Sequence, residues 1–431
     1  MKVYIVTLGC KVNQYESQAM LNSLSEEGFT ACESAEESDV VVVNSCTVTA
    51  ASDSKVRQTV RRVRRESPGA VVVLTGCMPQ AFPEAAEKLG EADVILGNSN
   101  HASLAGDIRA FLKSGRRIVD IAPHSGKFEP MRVGHFYDRT RAFVKIEDGC
   151  NRFCSYCVIP YARGRVCSKP LGDFRKEVFQ IAANGYREVV LTGINLSAYG
   201  QEFGLSLCDA VETAAEPDGI RRVRLGSLEP ERLDGETVAR LCRQEKLCPQ
   251  FHLSLQSGCD RTLRRMNRHY TAEEYREIVR NLRDSFSNAS VTTDVMVGFP
   301  GETEEDFLES LDFVREIGFA KVHVFLYSRR PGTAAAAFPD QVPRGEGQKR
   351  SRRMIAEAGK MRQSFFESQL GRTETVLFER KCASDGALEG YTENYTPVHL
   401  SSAKSLCGQI VPVRIVSAEE NFCRGELLSS V

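Results

Sequence analysis

The sequence predicts an α/β protein in three parts: a doubly wound α/β domain, a partial (β/α) barrel, and a small antiparallel β-barrel of oligonucleotide-binding type. Three observations predict it. VYIVTLGC (3–10), DVVVVNSC (39–46) and AVVVLTGC (70–77) are apolar, β-branched runs separated by helix-compatible stretches, the pattern of strands buried on both faces of a parallel sheet. Further on, six strand-like runs, RAFVKIEDGC, REVVLTGIN, RRVRLGSLEP, QFHLSLQSG, SVTTDVMVGFP and KVHVFLYSRRPGT, each lead into helix-compatible sequence. From ETVLFERK onward, short alternating strands are broken by Gly, Asp and Asn turns, as in a small barrel.

Taken in order, the first domain covers residues 1–113. Its first helix, in QYESQAMLNSLSEEG, ends at a glycine cap, Gly28, and ADVILGN (92–98) supplies a fourth strand. Residues 114–135, SGRRIVDIAPHSGKFEPMRVGH, have glycines, prolines and little periodicity, and read as a linker. The second domain spans 136–367 and closes with one basic helix in PRGEGQKRSRRMIAEAGKMRQSFFESQLG; the end barrel takes 368–431.

Composition narrows the class. At 42% hydrophobic and 26% charged residues, global disorder is excluded, and a net charge of −1 gives no overall imbalance toward nucleic acid. The first apolar run is too short and wrongly flanked for a secretory signal, and no run approaches the ~18 residues of a membrane helix. A soluble cytoplasmic protein without a membrane partner is expected. Fifteen cysteines in a reducing compartment point to metal or redox chemistry rather than disulfides.

Cys10, Cys46 and Cys77 each stand at the carboxyl end of a predicted strand. In a parallel sheet those ends share one edge, so the three thiols converge. Cys150, Cys154 and Cys157, in GCNRFCSYCVIP, follow the first strand of the second series as C-x3-C-x2-C, where a (β/α) barrel carries its chemistry. Three readings stand. Zinc wants a fourth ligand, yet none of the seven histidines lies close downstream and Cys167 is further along than the usual pairing. A Cys154–Cys157 redox pair leaves Cys150 over. A 4Fe–4S cluster on three thiolates keeps one iron open for a cofactor.

The triplet, with Tyr156 before its last cysteine, resembles the signature of radical S-adenosylmethionine enzymes. The wider resemblance, over essentially the whole chain, is to the methylthiotransferases. TLGCKVNQYES, VVNSCTVT and LTGCMPQ are similar to that family's three N-terminal motifs. GCNRFCSYCVIPYARGR, LTGIN, GSLEP, LSLQSG, TDVMVGFPGE and YSRRPGTAA follow in its central order, and the tail resembles its RNA-binding TRAM domain. The resemblance implies a central radical-SAM barrel and a 4Fe–4S cluster on Cys150, Cys154 and Cys157 that binds S-adenosylmethionine. It also implies a second 4Fe–4S cluster on Cys10, Cys46 and Cys77, and two S-adenosylmethionine molecules per turnover. The implied partners are tRNA, at its anticodon stem-loop, and an electron donor such as flavodoxin or ferredoxin. Three branches of the family act on isopentenyladenosine in tRNA, on threonylcarbamoyladenosine at the same position 37, or on an aspartate of a ribosomal protein. Lys11-Val12-Asn13-Gln14 resembles the threonylcarbamoyladenosine branch, which makes the 2-methylthio derivative. RGRVCSKP departs from the family pattern by placing Cys167 before Ser168.

S-adenosylmethionine is expected across the second domain's strand ends, at Gly193, Asn195, Ser227, Glu229, Gln256 and Asp294, each of which serves strand-end packing equally well. Arg163 and Arg165 either bind an anion or support the cysteine loop. For RNA, KVRQTVRRVRR (55–65) offers Arg57, Arg61, Arg62, Arg64 and Arg65, and the tail offers Tyr391, Asn394 and Tyr395. The bland alternatives are a solvated helix face and turn packing. No catalytic side chain is assigned. From a different class, a zinc-stabilised RNA-binding protein remains, and metal content separates the two.

Overall fold

The first sheet is six parallel strands in the order β2-β1-β3-β4-β5-β6: β1 Lys2–Thr7, β2 Thr30–Ala31, β3 Val40–Ser45, β4 Val71–Gly76, β5 Val94–Leu96 and β6 Ile118–Asp120. The protein is described as a computed structural model covering residues 1–134, 136, 140–382, 386–402 and 404–428. His135 at the end of the linker reading, and 383–385, 403 and 429–431 of the tail reading, lie outside these. The valine runs divide by pleat. Val41, Val43, Val72, Leu74 and Ile95 enter one core, and Val40, Val42, Val71, Val73 and Val94 the other, so both faces are covered, as a parallel sheet requires. The helix Ala50–Glu66 is capped by Thr49 and lays Val56, Val60 and Val63 on the first core. Gly28, at φ +86°, follows the end of the helix Lys11–Glu26. The IVD of β6, too short to show a period, makes part of the linker reading an edge strand of this sheet.

The second domain supplies β7 Arg141–Lys145, β8 Glu147–Asp148, β9 Cys167–Ser168, β10 Glu188–Thr192, β11 Arg222–Leu225, β12 Ser227–Leu228, β13 Gln250–Leu253, β14 Ser290–Val297 and β15 Lys321–Leu326. Its parallel sheets run β11-β10-β7 and β12-β13-β14-β15. β11 and β12 are one chain segment broken at Gly226, so the two sheets form a six-position partial barrel. The helix Arg344–Glu367 covers β15.

β16 Thr373–Lys381, β17 Leu388–Thr392, β18 Pro397–Leu400, β19 Ile410–Ala418 and β20 Cys423–Leu427 close into a five-stranded barrel around Val376, Phe378, Val398, Val413 and Ile415. It docks on the amino ends of the central strands. Arg222 donates to the carbonyls of Tyr391 (3.1 Å) and Thr375 (2.6 Å), and Arg224 to that of Glu393 (2.7 Å). Buried Glu188 holds these cations, at 2.8 Å from Arg224, 3.6 Å from Arg222 and 3.8 Å from Arg141. Burial alone raises its carboxyl, but Arg224 and then Arg141 and Arg222 outweigh that and hold it below its ordinary range. Glu188→Gln is therefore expected to cost about 3–5 kcal/mol, read as a lower urea midpoint. The depressed carboxyl contributes fully above the unfolded value of about 4 and loses its contribution as pH falls through the lowered one. The variant's deficit is thus expected to shrink in acid.

Candidate active site

Three Gly–Cys steps build the site. Gly9, Gly76 and Gly149 have φ of +119°, +98° and +79°, a region side chains rarely enter. There is also no room for one. A Cβ on Gly9 would stand 2.9 Å from Cys46 Cβ, on Gly76 2.6 Å from the Ser45 nitrogen, and on Gly149 2.1 Å from the Arg165 carbonyl oxygen. Each glycine turns the chain as its strand ends and aims the next cysteine along the sheet edge. Cys10 thus caps the helix Lys11–Glu26 and Cys77 opens the helix Cys77–Ala81.

Cys10, Cys46 and Cys77 are brought together. Burial raises all three thiols, Cys46 and Cys10 interact, and Cys77 interacts with both. Asn13 accepts from Cys10 Sγ (3.2 Å) while donating to Asn44 and Ser45 of the neighbouring strand (3.1 and 3.0 Å). Cys77 Sγ accepts from Asn98 (3.5 Å) and from Arg163 Nε (3.3 Å). Arg163 comes from the other cysteine loop and is fully buried. Its fork donates to both oxygens of Glu16 (2.7 and 2.9 Å) and to Asp148 (3.2 Å), and Lys145 donates to Glu16 as well (2.7 Å). Of the two expectations for Arg163, the loop-supporting one matches these contacts. Arg165 stacks over Phe153, 4.6 Å from the ring centroid.

The loop of Cys150, Cys154 and Cys157 leaves and rejoins the barrel through the antiparallel β8–β9 pair, with Cys150 N–H on the Gly164 carbonyl (3.1 Å). Burial lifts the Cys150 and Cys157 thiols to about 12. Arg268, which sequence reading missed, donates to Cys154 Sγ (3.4 Å) and pairs with Glu229 (2.5 Å). Tyr156 meets Phe299 edge-on at 6.2 Å. N–H donors on sulfur favour the thiolate state that metal binding needs. Three thiolates suit an iron–sulfur cube, which can keep its fourth iron open, whereas a structural zinc site closes with four ligands. Cys167 is outside both sets, paired through β9 with Asp148.

A chamber of about 550 Å³ runs inside the partial barrel, from Gly9, Cys10 and Lys11 down to Tyr395. Of the residues expected for S-adenosylmethionine, Gly193, Ser227 and Asp294 line it. Asn195 and Glu229 lie instead beside the second triad: Asn195 Nδ2 is 3.9 Å from Cys150 Sγ, and Glu229 acts through Arg268. Among the described residues Asn195 Oδ1 and Glu147 Oε1 are buried without a partner, which leaves polar atoms beside the thiols for a ligand to satisfy. Gln256 holds a left-handed backbone, φ 65°, and bonds to Asp294 and Met296 of β14.

Several of the residues expected to meet RNA have partners within the protein. The helix Ala50–Glu66 is about 25 Å long, so only its first turn is near Cys46. Its far end lies by Glu91 and Asp93, at the amino ends of the strands. Arg61 pairs with Glu91 (3.2 Å), Arg62 with Glu66 (3.8 Å), and Arg64 is spent on Asp93 and three carbonyls. Arg57 sits mid-helix, half-buried, and Arg65 is exposed. Asn394 is buried and clasps Asn288 (3.2 Å) and Gln369 (3.1 Å). Tyr391 and Tyr395 stack on each other at 4.6 Å under Arg141. These three tail residues join barrel to barrel instead of forming a free stacking surface.

Family models match in three places: uncharacterized protein family UPF0004 over residues 2–97, the radical SAM superfamily over 144–314, and the TRAM domain over 367–428. The chain is 34% identical to the threonylcarbamoyladenosine tRNA methylthiotransferase MtaB of Bacillus subtilis, covering 99% of this chain and 96% of that one. Identity to the Thermotoga maritima protein of the same name is 36%, with 99% and 98% covered. It is also 34% identical to a tRNA-2-methylthio-N(6)-dimethylallyladenosine synthase of Pelotomaculum thermopropionicum, with 97% and 96% covered. In fold it is similar to the radical S-adenosylmethionine methyltransferase TsrM of Kitasatospora setae, at TM-score 0.56 and 16% identity over 78% of this chain and 76% of that one. Among the described residues no helix is long and apolar enough to cross a membrane.

Proposed function

Because this chain belongs to the radical S-adenosylmethionine tRNA methylthiotransferases, we propose that its substrate is the threonylcarbamoylated adenosine at position 37 of tRNA and its product the 2-methylthio derivative. Relatives named for either adenosine modification lie at similar identity, so the choice rests on the chamber. Lys11, His252, Lys321 and His323 line it beside Val12, Leu225, Phe325 and Tyr395, and the two lysines offer cations that an anionic substituent can pair with and a branched hydrocarbon cannot.

The family carries a 4Fe–4S cluster and S-adenosylmethionine, and the residues fitted to hold that cluster are Cys150, Cys154 and Cys157. With S-adenosylmethionine bound, such a cluster supplies one-electron cleavage that activates an unreactive C–H bond. Cys10, Cys46 and Cys77 are assigned to a second cluster, and Cys10 of that set lines the chamber. The chain itself does the holding: Arg268 and Asn195 donate toward the thiols of one triad, and Arg163 and Asn98 toward those of the other. An external reductant of the flavodoxin or ferredoxin kind completes the assignment.

Nucleoside mass spectrometry of tRNA from cells lacking this gene tests the substrate. The expected result is loss of the methylthio form of threonylcarbamoyladenosine, with the isopentenyl counterpart intact. Loss of the isopentenyl counterpart, or no change in either, would overturn it.

A further inference from the structure

Lys11 directly follows Cys10, and Lys321 opens β15; both line the chamber. Neither ammonium makes a hydrogen bond or ion pair with another described residue. The deeper cations are matched: Arg224 has Glu188 at 2.8 Å, and Arg141 has Glu379 and, at 3.1 Å, the Tyr395 hydroxyl. Among the lining side chains Asp294 is the sole carboxylate, and it lies 3.3 Å from His252 Nε2. The floor is therefore electrically closed while two ammonium groups above it are left over. Lys11 is partly buried and Lys321 is exposed at the rim, so the cost of an unmatched charge falls on Lys11, and a ligand that brings an anion relieves it.

Resting on the substrate reading above, we propose that Lys11, assisted by Lys321, binds the carboxylate of the threonyl group and is the residue that sets specificity against apolar N6 substituents. Lys11 is placed for this by its neighbour. Cys10 follows the turn after β1 and caps the helix, so the next side chain enters the chamber beside the thiol that the reaction needs. A chamber of about 550 Å³ is of the size that accommodates a modified nucleoside. An isopentenyl group offers no anion and leaves both ammonium groups unmatched. S-adenosylmethionine also carries a carboxylate, so the test must separate the two sources.

The experiment uses anaerobically reconstituted full-length protein and equilibrium binding, with no turnover. The probes are anticodon stem-loops bearing threonylcarbamoyladenosine, its methyl ester, isopentenyladenosine or plain adenosine, and S-adenosylmethionine alone. Wild-type protein is expected to bind the threonylcarbamoyl loop about 10- to 100-fold more tightly than the ester or plain loops, the size of a lost charge-assisted hydrogen bond. Lys11→Met removes that preference, Lys11→Arg restores most of it, and Lys321→Met, distant from the cysteines in sequence, lowers it less. Binding of the plain loop and of S-adenosylmethionine stays unchanged in all three. A Lys11→Met protein that keeps the wild-type preference overturns the inference, as does one whose S-adenosylmethionine binding falls instead. Wild-type protein that binds the isopentenyl loop as tightly as the threonylcarbamoyl loop overturns the substrate reading first, and this inference with it.

Discussion

Cys154→Ala and Cys46→Ala are each expected to abolish methylthiolated tRNA, by different routes. Cys154 is one of the three thiols on the barrel loop, and Arg268 donates to it at 3.4 Å. Without it a cube loses one of three protein ligands, and reductive cleavage of S-adenosylmethionine to 5′-deoxyadenosine should stop. Cys46 is packed against Gly9 on the other sheet edge, outside that loop. Its loss should leave 5′-deoxyadenosine formation running while no sulfur reaches the nucleoside. Chromatography of 5′-deoxyadenosine beside nucleoside mass spectrometry separates the two. Methylthio product from the Cys46→Ala protein would remove that triad from the chemistry.

Arg163→Met is expected to destabilise the protein by about 3–5 kcal/mol. The guanidinium is fully buried and joins four partners from three segments: Glu16, Asp148, Asn13 and Cys77. Removing it leaves the Glu16 carboxylate, which Arg163 and Lys145 hold far below its ordinary range against burial, with Lys145 alone. Methionine fills the volume but supplies no donor, so the cost is that of a buried charge losing its match. The single ammonium of an Arg163→Lys variant cannot span Glu16 and Cys77 at once, so the conservative change should recover little. Urea unfolding measures the loss, and iron retention by the first triad should fall with it. An unchanged midpoint would contradict the strut role.

Much of this architecture was legible because parallel strands buried on both faces must be written as runs such as VVVV, and because cysteines at the ends of such runs share an edge. The glycines before Cys10, Cys77 and Cys150 escaped the sequence reading, because only the backbone geometry shows why glycine stands there. What escaped was whatever depends on long-range packing. Arg268 reaches Cys154 across 114 positions of sequence, and no local pattern announces that. The arginines at the end of the helix Ala50–Glu66 looked close to Cys46 along the chain, but the helix carries them to the opposite sheet edge. Tyr391, Asn394 and Tyr395 have the residue types of a base-stacking surface, yet Arg141, Asn288 and Gln369 engage them at the domain junction. β6 is three residues long, too short for any periodicity to register.

Two three-thiol cluster sites in one chain are the central claim, and iron and acid-labile sulfide counts on anaerobically purified protein test it most directly. The wild-type chain is predicted to carry about eight iron and eight sulfide, and about four of each when either triad is changed to alanine. Stoichiometric zinc without iron, or a wild-type count of four that the loss of Cys10, Cys46 and Cys77 does not alter, would contradict it.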